Sequence, residues 1–79
     1  MPDISEELLA ETEKWRRRAQ ERAALAKGDP KFMENVLAYI DDSGYFLERG
    51  DLVRAFEAVI WAWAWLEIGE RQGILTSLD

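Results

Sequence analysis

The chain has 79 residues, 48% of them apolar and 11% aromatic, with a net charge of −6. That length allows one small domain with a limited core. Cysteine and histidine are both absent, which removes disulfides, thiolate metal sites, the commonest general base and the commonest transition-metal ligand.

The N-terminal MPDISEELL has neither a basic start nor an apolar run, so a signal peptide is not expected. No segment reaches the roughly 20 apolar residues of a membrane span. The most apolar stretch, AVIWAWAWLEIG, is bounded by the acids Glu57 and Glu67 at about half that length. The expectation is a cytoplasmic protein with no membrane contact. Charge is segregated along the chain. Residues 1–13 hold five acids and no base; residues 14–31 hold seven bases and two acids; residues 32–79 hold three bases and nine acids.

The first predicted helix spans about residues 5–26. Ser5 is one N-cap candidate, and Asp3 with Glu6 forms a rival capping box. Acids early and bases late suit the helix dipole. Leu8, Thr12, Trp15, Ala19 and Ala26 form a narrow apolar seam, and Lys27-Gly28 ends the helix. The second helix, about 30–49, has the clearest start: in GDPKF, Asp29 caps and Pro30 takes the first helical position. Met33, Val36, Leu37, Ile40, Gly44 and Leu47 then recur at three- and four-residue steps, with Phe32 at the edge. Gly44 on that stripe implies close approach of a neighbouring helix.

In ERGD, Gly50 suits a left-handed helix end and Asp51 caps the next helix immediately. So short a link predicts an antiparallel αα-hairpin. The third helix spans about 52–72, with Gly73 as terminator. The fold expected is all-α, an antiparallel three-helix bundle with a tight hairpin between its second and third helices.

Within that third helix, VIWAWAWL places tryptophans at alternate positions, 61, 63 and 65. Alternation alone suits a strand, but the cap at Asp51 and the alanines at 55, 58, 62 and 64 favour helix. At 100° per residue Leu52, Ala55, Phe56, Val59, Ala62, Trp63 and Leu66 share the core face. Trp61 and Trp65 point elsewhere, flanked by Ala58 and Ile68. Two readings stay open: either these rings line a groove of the bundle, or Trp61, Trp65, Ala58 and Ile68 form an interface for a second subunit or another protein.

The segment YFLERGDLVRAFEAVIWAWAWLEIGERQGI, residues 45–74, resembles an archaeal family known as domain of unknown function 357. The resemblance rests on Tyr45-Phe46-Leu47 with Gly50-Asp51, on Arg54-Ala55-Phe56-Glu57-Ala58 and on Trp65-Leu66-Glu67. It implies a compact helical fold and assigns no activity or catalytic residue. The same segment also resembles, more faintly, a single tetratricopeptide-type helical hairpin, a protein-binding unit when repeated.

The basic cluster Lys14, Arg16, Arg17, Arg18 and Arg22 supports an alternative, a weak nucleic-acid binder. On a helix these side chains fan around the axis, and Glu13–Arg17 and Arg17–Glu21 have ion-pair spacing. Glu34, Asp41 and Glu48 make an acidic stripe whose members lie about 10 Å apart, too far for one metal; it is a candidate partner for the basic first helix. No nucleophile with an adjacent base and no phosphate loop is present. The sequence therefore predicts no cofactor, no metal and no enzyme. The reading is a structural or protein-interaction module, a homodimer or a partner of another protein.

Overall fold

The computed structural model describes residues 3–77, and among these the chain forms three helices and a two-stranded ribbon. Helix α1 is Ile4–Leu25, α2 is Pro30–Glu48 and α3 is Leu52–Arg71; strand β1 is Ala26–Gly28 and β2 is Leu75–Ser77. The three-helix architecture agrees with the expectation, and α2 and α3 pack most closely. Each helix ends one residue before its expected limit. The tryptophan run is helical throughout.

Every helix is capped by an aspartate at its start. Asp3, not Ser5, caps α1 and accepts from the Glu6 amide at 2.8 Å. Asp29 accepts from the Phe32 amide at 3.0 Å, and Asp51 from the Arg54 amide at 3.1 Å. Each carboxylate satisfies one of the amides that a helix start leaves free.

Two helix ends share one design. Gly50 and Gly73 both have φ of +74°, a left-handed conformation that glycine adopts without penalty. Beyond α2, the Asp51 amide donates to the Phe46 carbonyl at 2.9 Å and the Gly50 amide to the Leu47 carbonyl at 3.0 Å. Beyond α3, the Ile74 amide donates to the Gly69 carbonyl at 2.8 Å and the Gly73 amide to the Glu70 carbonyl at 3.2 Å. Both are Schellman ends. Asp51 therefore closes α2 with its backbone and opens α3 with its side chain, which is why two helices can reverse with so little chain between them.

The ribbon is the feature the sequence reading lacks. Ala26, expected as the last seam residue of α1, instead opens β1, and the pairs are Ala26 with Ser77, Lys27 with Thr76, and Gly28 with Leu75. Three-residue strands carry no readable periodicity, and their partners lie far apart in the chain. The ribbon brings Leu75 into the core, where it is 2% exposed. Gly69 makes room for it: a Cβ there would meet Leu75 Cδ1 at 2.8 Å and Phe32 Cε1 at 2.6 Å.

The interior is built of small residues. Ala19, Ala23, Val36, Ile40, Ala62, Leu66 and Leu75 form the central cluster, while Phe32, Met33, Tyr39, Trp63 and Trp65 pack against it only partly buried. Alanines let the helix backbones approach closely, and the large rings then form walls along the seams between helices. Leu37, expected on the core stripe, is 46% exposed. Ser43, off the expected stripe, is instead fully buried, donates to the Ile40 carbonyl and accepts from Arg16 Nε at 2.9 Å. Gly44 is needed for the same arrangement: a Cβ there would fall 2.5 Å from the Arg16 guanidinium. A side chain, rather than the backbone of a neighbouring helix, occupies that space.

Candidate functional site: two aromatic walls on the third helix

Successive tryptophans on a helix turn by about 200°, so alternate rings leave α3 on different sides. Trp63 leaves toward α1, whereas Trp61 and Trp65, one turn apart, leave toward α2. Each side then becomes a wall of stacked rings, and the two walls differ in how their polar edges and faces are covered.

On the α1 side the Trp63 ring meets Trp15 edge to face, with centroids 5.5 Å apart, and its Nε1–H donates to the Trp15 carbonyl at 3.0 Å. Cations cover both rings. The Arg18 guanidinium lies 4.7 Å from the Trp15 centroid, and the Arg22 guanidinium 5.0 Å from that of Trp63. Arg22 also binds Glu67 at 2.8 Å and Glu70 at 2.9 Å. The hydrogen bond to Glu70, foremost, holds its pKa above the ordinary arginine value, so the charge is permanent. Beneath this wall runs an apolar groove of about 340 Å³, lined by Trp15, Phe56, Val59, Ile60, Trp63 and Glu67.

On the α2 side four rings form a ladder across two helices. Phe32 meets Trp65 edge to face at 5.8 Å, Trp65 stacks on Trp61 at 6.5 Å, and Trp61 stacks on Tyr39 at 6.2 Å, 22° from parallel. Trp61 is the exposed member of the ladder, and Phe32, Trp65 and Tyr39 are partly buried. Trp65 is half-buried, and its Nε1 is shielded from solvent with no hydrogen-bond partner among the described residues. Trp61 is 47% exposed and Ile68, two turns further along α3, 42%.

The expected interface residues therefore separate. Trp61 and Ile68 face outward, and Trp65 lies between surface and core. Ala58, expected at the patch edge, is 6% exposed and lies inside the fold. Phe32 and Tyr39 belong to the ladder although the sequence reading did not group them with the tryptophans. Their seven-residue spacing on α2 was the available signal.

The five basic candidates do not form a free cationic surface. Lys14 pairs with Glu11 at 2.7 Å and lies 5.5 Å from the Trp15 centroid. Arg16 is tied to Ser43, Arg18 covers Trp15, and Arg22 is held by two glutamates. Arg17 is exposed, on a shallow surface shared with Glu13, Gln20 and Leu47. The cross-helix partners of α1 thus come from Glu67 and Glu70 on α3, and the stripe Glu34, Asp41 and Glu48 stays exposed on α2. No helix is long and apolar enough to cross a membrane.

Fold and surface together define a small all-α protein of three antiparallel helices, with aromatic walls and an alanine-rich interior. The profile of the family described as "protein of unknown function (DUF357)" matches residues 5–75, and the chain belongs to that family. A DUF357 protein from Archaeoglobus fulgidus has a crystal structure similar to this one. The two chains are 58% identical with a TM-score of 0.93, over 96% of this chain and all of the other. No curated protein matches.

Proposed function

We propose that this chain is a non-catalytic, cytoplasmic protein-interaction module that associates through the outer aromatic face of α3, centred on Trp61 and Ile68. The observation that carries this reading is Trp61, a large residue 47% exposed within a ring ladder, between Trp65 and Tyr39. Exposed tryptophan beside aliphatic and small residues has the composition of an interface centre. Stacking on Tyr39 and Trp65 also fixes the ring before any partner arrives, so little side-chain freedom is lost on binding. The alternative of nucleic-acid binding draws less support, because four of its five cations are already engaged within the chain.

Sedimentation equilibrium of the wild type and of Trp61→Glu tests the proposal. The expected result is a reversible dimer for the wild type and a folded monomer for the variant, with unchanged circular dichroism. A wild type that stays monomeric up to about 1 mM would exclude self-association through this face.

A further inference from the structure

The outer side of α3 carries more order than one exposed tryptophan. Glu57, Trp61, Ala64, Ile68 and Arg71 follow one another at steps of four, three, four and three residues. At 100° per residue they fall within about 80° of arc, opposite Leu66, which is fully buried. This is the spacing of a coiled-coil seam, on the outer side of α3, where Glu57, Trp61, Ile68 and Arg71 are exposed and Tyr39 of α2 meets the Trp61 ring.

The stripe is also nearly palindromic. Reversed about Ala64, it sets Glu57 against Arg71, Trp61 against Ile68, and Ala64 against itself. An acid closes one end and a base the other. Glu57 is exposed, and the Arg71 side chain is 80% exposed, with a 3.8 Å contact to Glu67. A small residue at the midpoint permits two helices to approach closely. Ile60, 51% exposed, flanks the stripe and widens its apolar area.

We propose that the partner is a second copy of this chain, with the two α3 helices antiparallel about a twofold axis at Ala64. In that arrangement Glu57 of each copy faces Arg71 of the other, and Trp61 packs against Ile68 across the axis. The inference rests on the proposed self-association and specifies its geometry. Twofold symmetry makes every contact occur twice, which is how a short self-complementary stripe specifies a closed dimer rather than a chain of copies. The end charges fix direction and register: a parallel pair would set Glu57 on Glu57 and Arg71 on Arg71. A single helix face covers less than the roughly 1,200–2,000 Å² of a standard interface, so the dissociation constant belongs at about micromolar or weaker.

Charge reversal and cross-linking test the geometry. Glu57→Arg alone and Arg71→Glu alone should each weaken dimerisation about tenfold, because two facing pairs become repulsive. The double variant should return to wild-type affinity. Independently, the chain has no cysteine, so Ala64→Cys should give a disulfide-linked dimer under mild oxidation. Glu57→Cys should not, since its two copies would lie about 21 Å apart along the axis. If Trp61→Glu dissociates the dimer while charge reversal has no effect, or if Glu57→Cys cross-links and Ala64→Cys does not, the antiparallel register is wrong although the self-association stands. If the wild type never dimerises, both proposals fail together.

Discussion

The two walls of α3 are made of the same kind of side chain and have opposite fates. The Trp15–Trp63 wall is finished within the chain: the Trp63 indole N–H has an acceptor, Arg18 covers the Trp15 ring, and Arg22, held by two glutamates, covers the Trp63 ring. The Phe32–Trp65–Trp61–Tyr39 wall is unfinished: one indole N–H lies buried without a partner among the described residues, and Trp61 is half bare. Long cationic side chains can screen apolar surface from water through their stems and flat heads. Where α1 supplies them, tryptophan serves stability. On the other side no cation lies over Trp61 among the described residues.

The comparison breaks most visibly on truncation. Trp63→Ala should cost about 3–5 kcal/mol in urea denaturation, since a packed ring and its hydrogen bond are lost together. Trp61→Ala should cost about 1 kcal/mol or less in the monomer. Equal losses would mean the walls are energetically alike. Next, Leu75→Ala should cost about 2–4 kcal/mol, because this buried side chain backs the Phe32 and Gly69 end of the open wall. A negligible loss would show that the ribbon does not support the ladder. Arg22→Met, which keeps an apolar stem without charge, should cost about 1–2 kcal/mol and leave dimerisation unchanged. An effect on association instead would place the covered wall in the interface.

The smallest effect concerns acid. The Asp51 carboxyl is held below its ordinary pKa by the backbone amide and then the side chain of Arg54, and the Glu11 carboxyl chiefly by Lys14. A depressed folded-state pKa contributes stability that is complete above the unfolded value of about 4 and is lost as pH falls through the folded value. Thermal denaturation at stepwise lower pH should therefore show Asp51→Asn falling less steeply than the wild type below about pH 4. Parallel curves would remove the cap from the account of acid sensitivity.

Much of this fold is legible in local chemistry. Asp29-Pro30 and Gly50-Asp51 mark their helix boundaries because caps and left-handed turns are decided within a few residues. The tryptophan run reads as helix for the same reason. What resists reading depends on distant partners. Leu75 gains its core position only through pairing with β1, and Ser43 is tolerated inside only because Arg16 reaches it from α1. Ala58 was set beside Trp61 and Trp65 by helical angle alone, which does not say how deep a residue at the edge of a face will lie; it is 6% exposed. The candidate site was half visible. Trp61 and Ile68 follow from helical geometry, whereas Tyr39 and Phe32 join them only once α2 and α3 are docked.

The most direct test of the central claim uses the tryptophans themselves. Their indole N–H groups give separate nuclear magnetic resonance signals, so a dilution series followed by ¹⁵N correlation spectra reports on both walls at once. The account predicts that the Trp61 indole and the amides of Ala64 and Ile68 shift with concentration while the Trp63 indole stays still. Shifts at Trp63 with a stationary Trp61 would contradict it and move the interface to the α1 side of the helix.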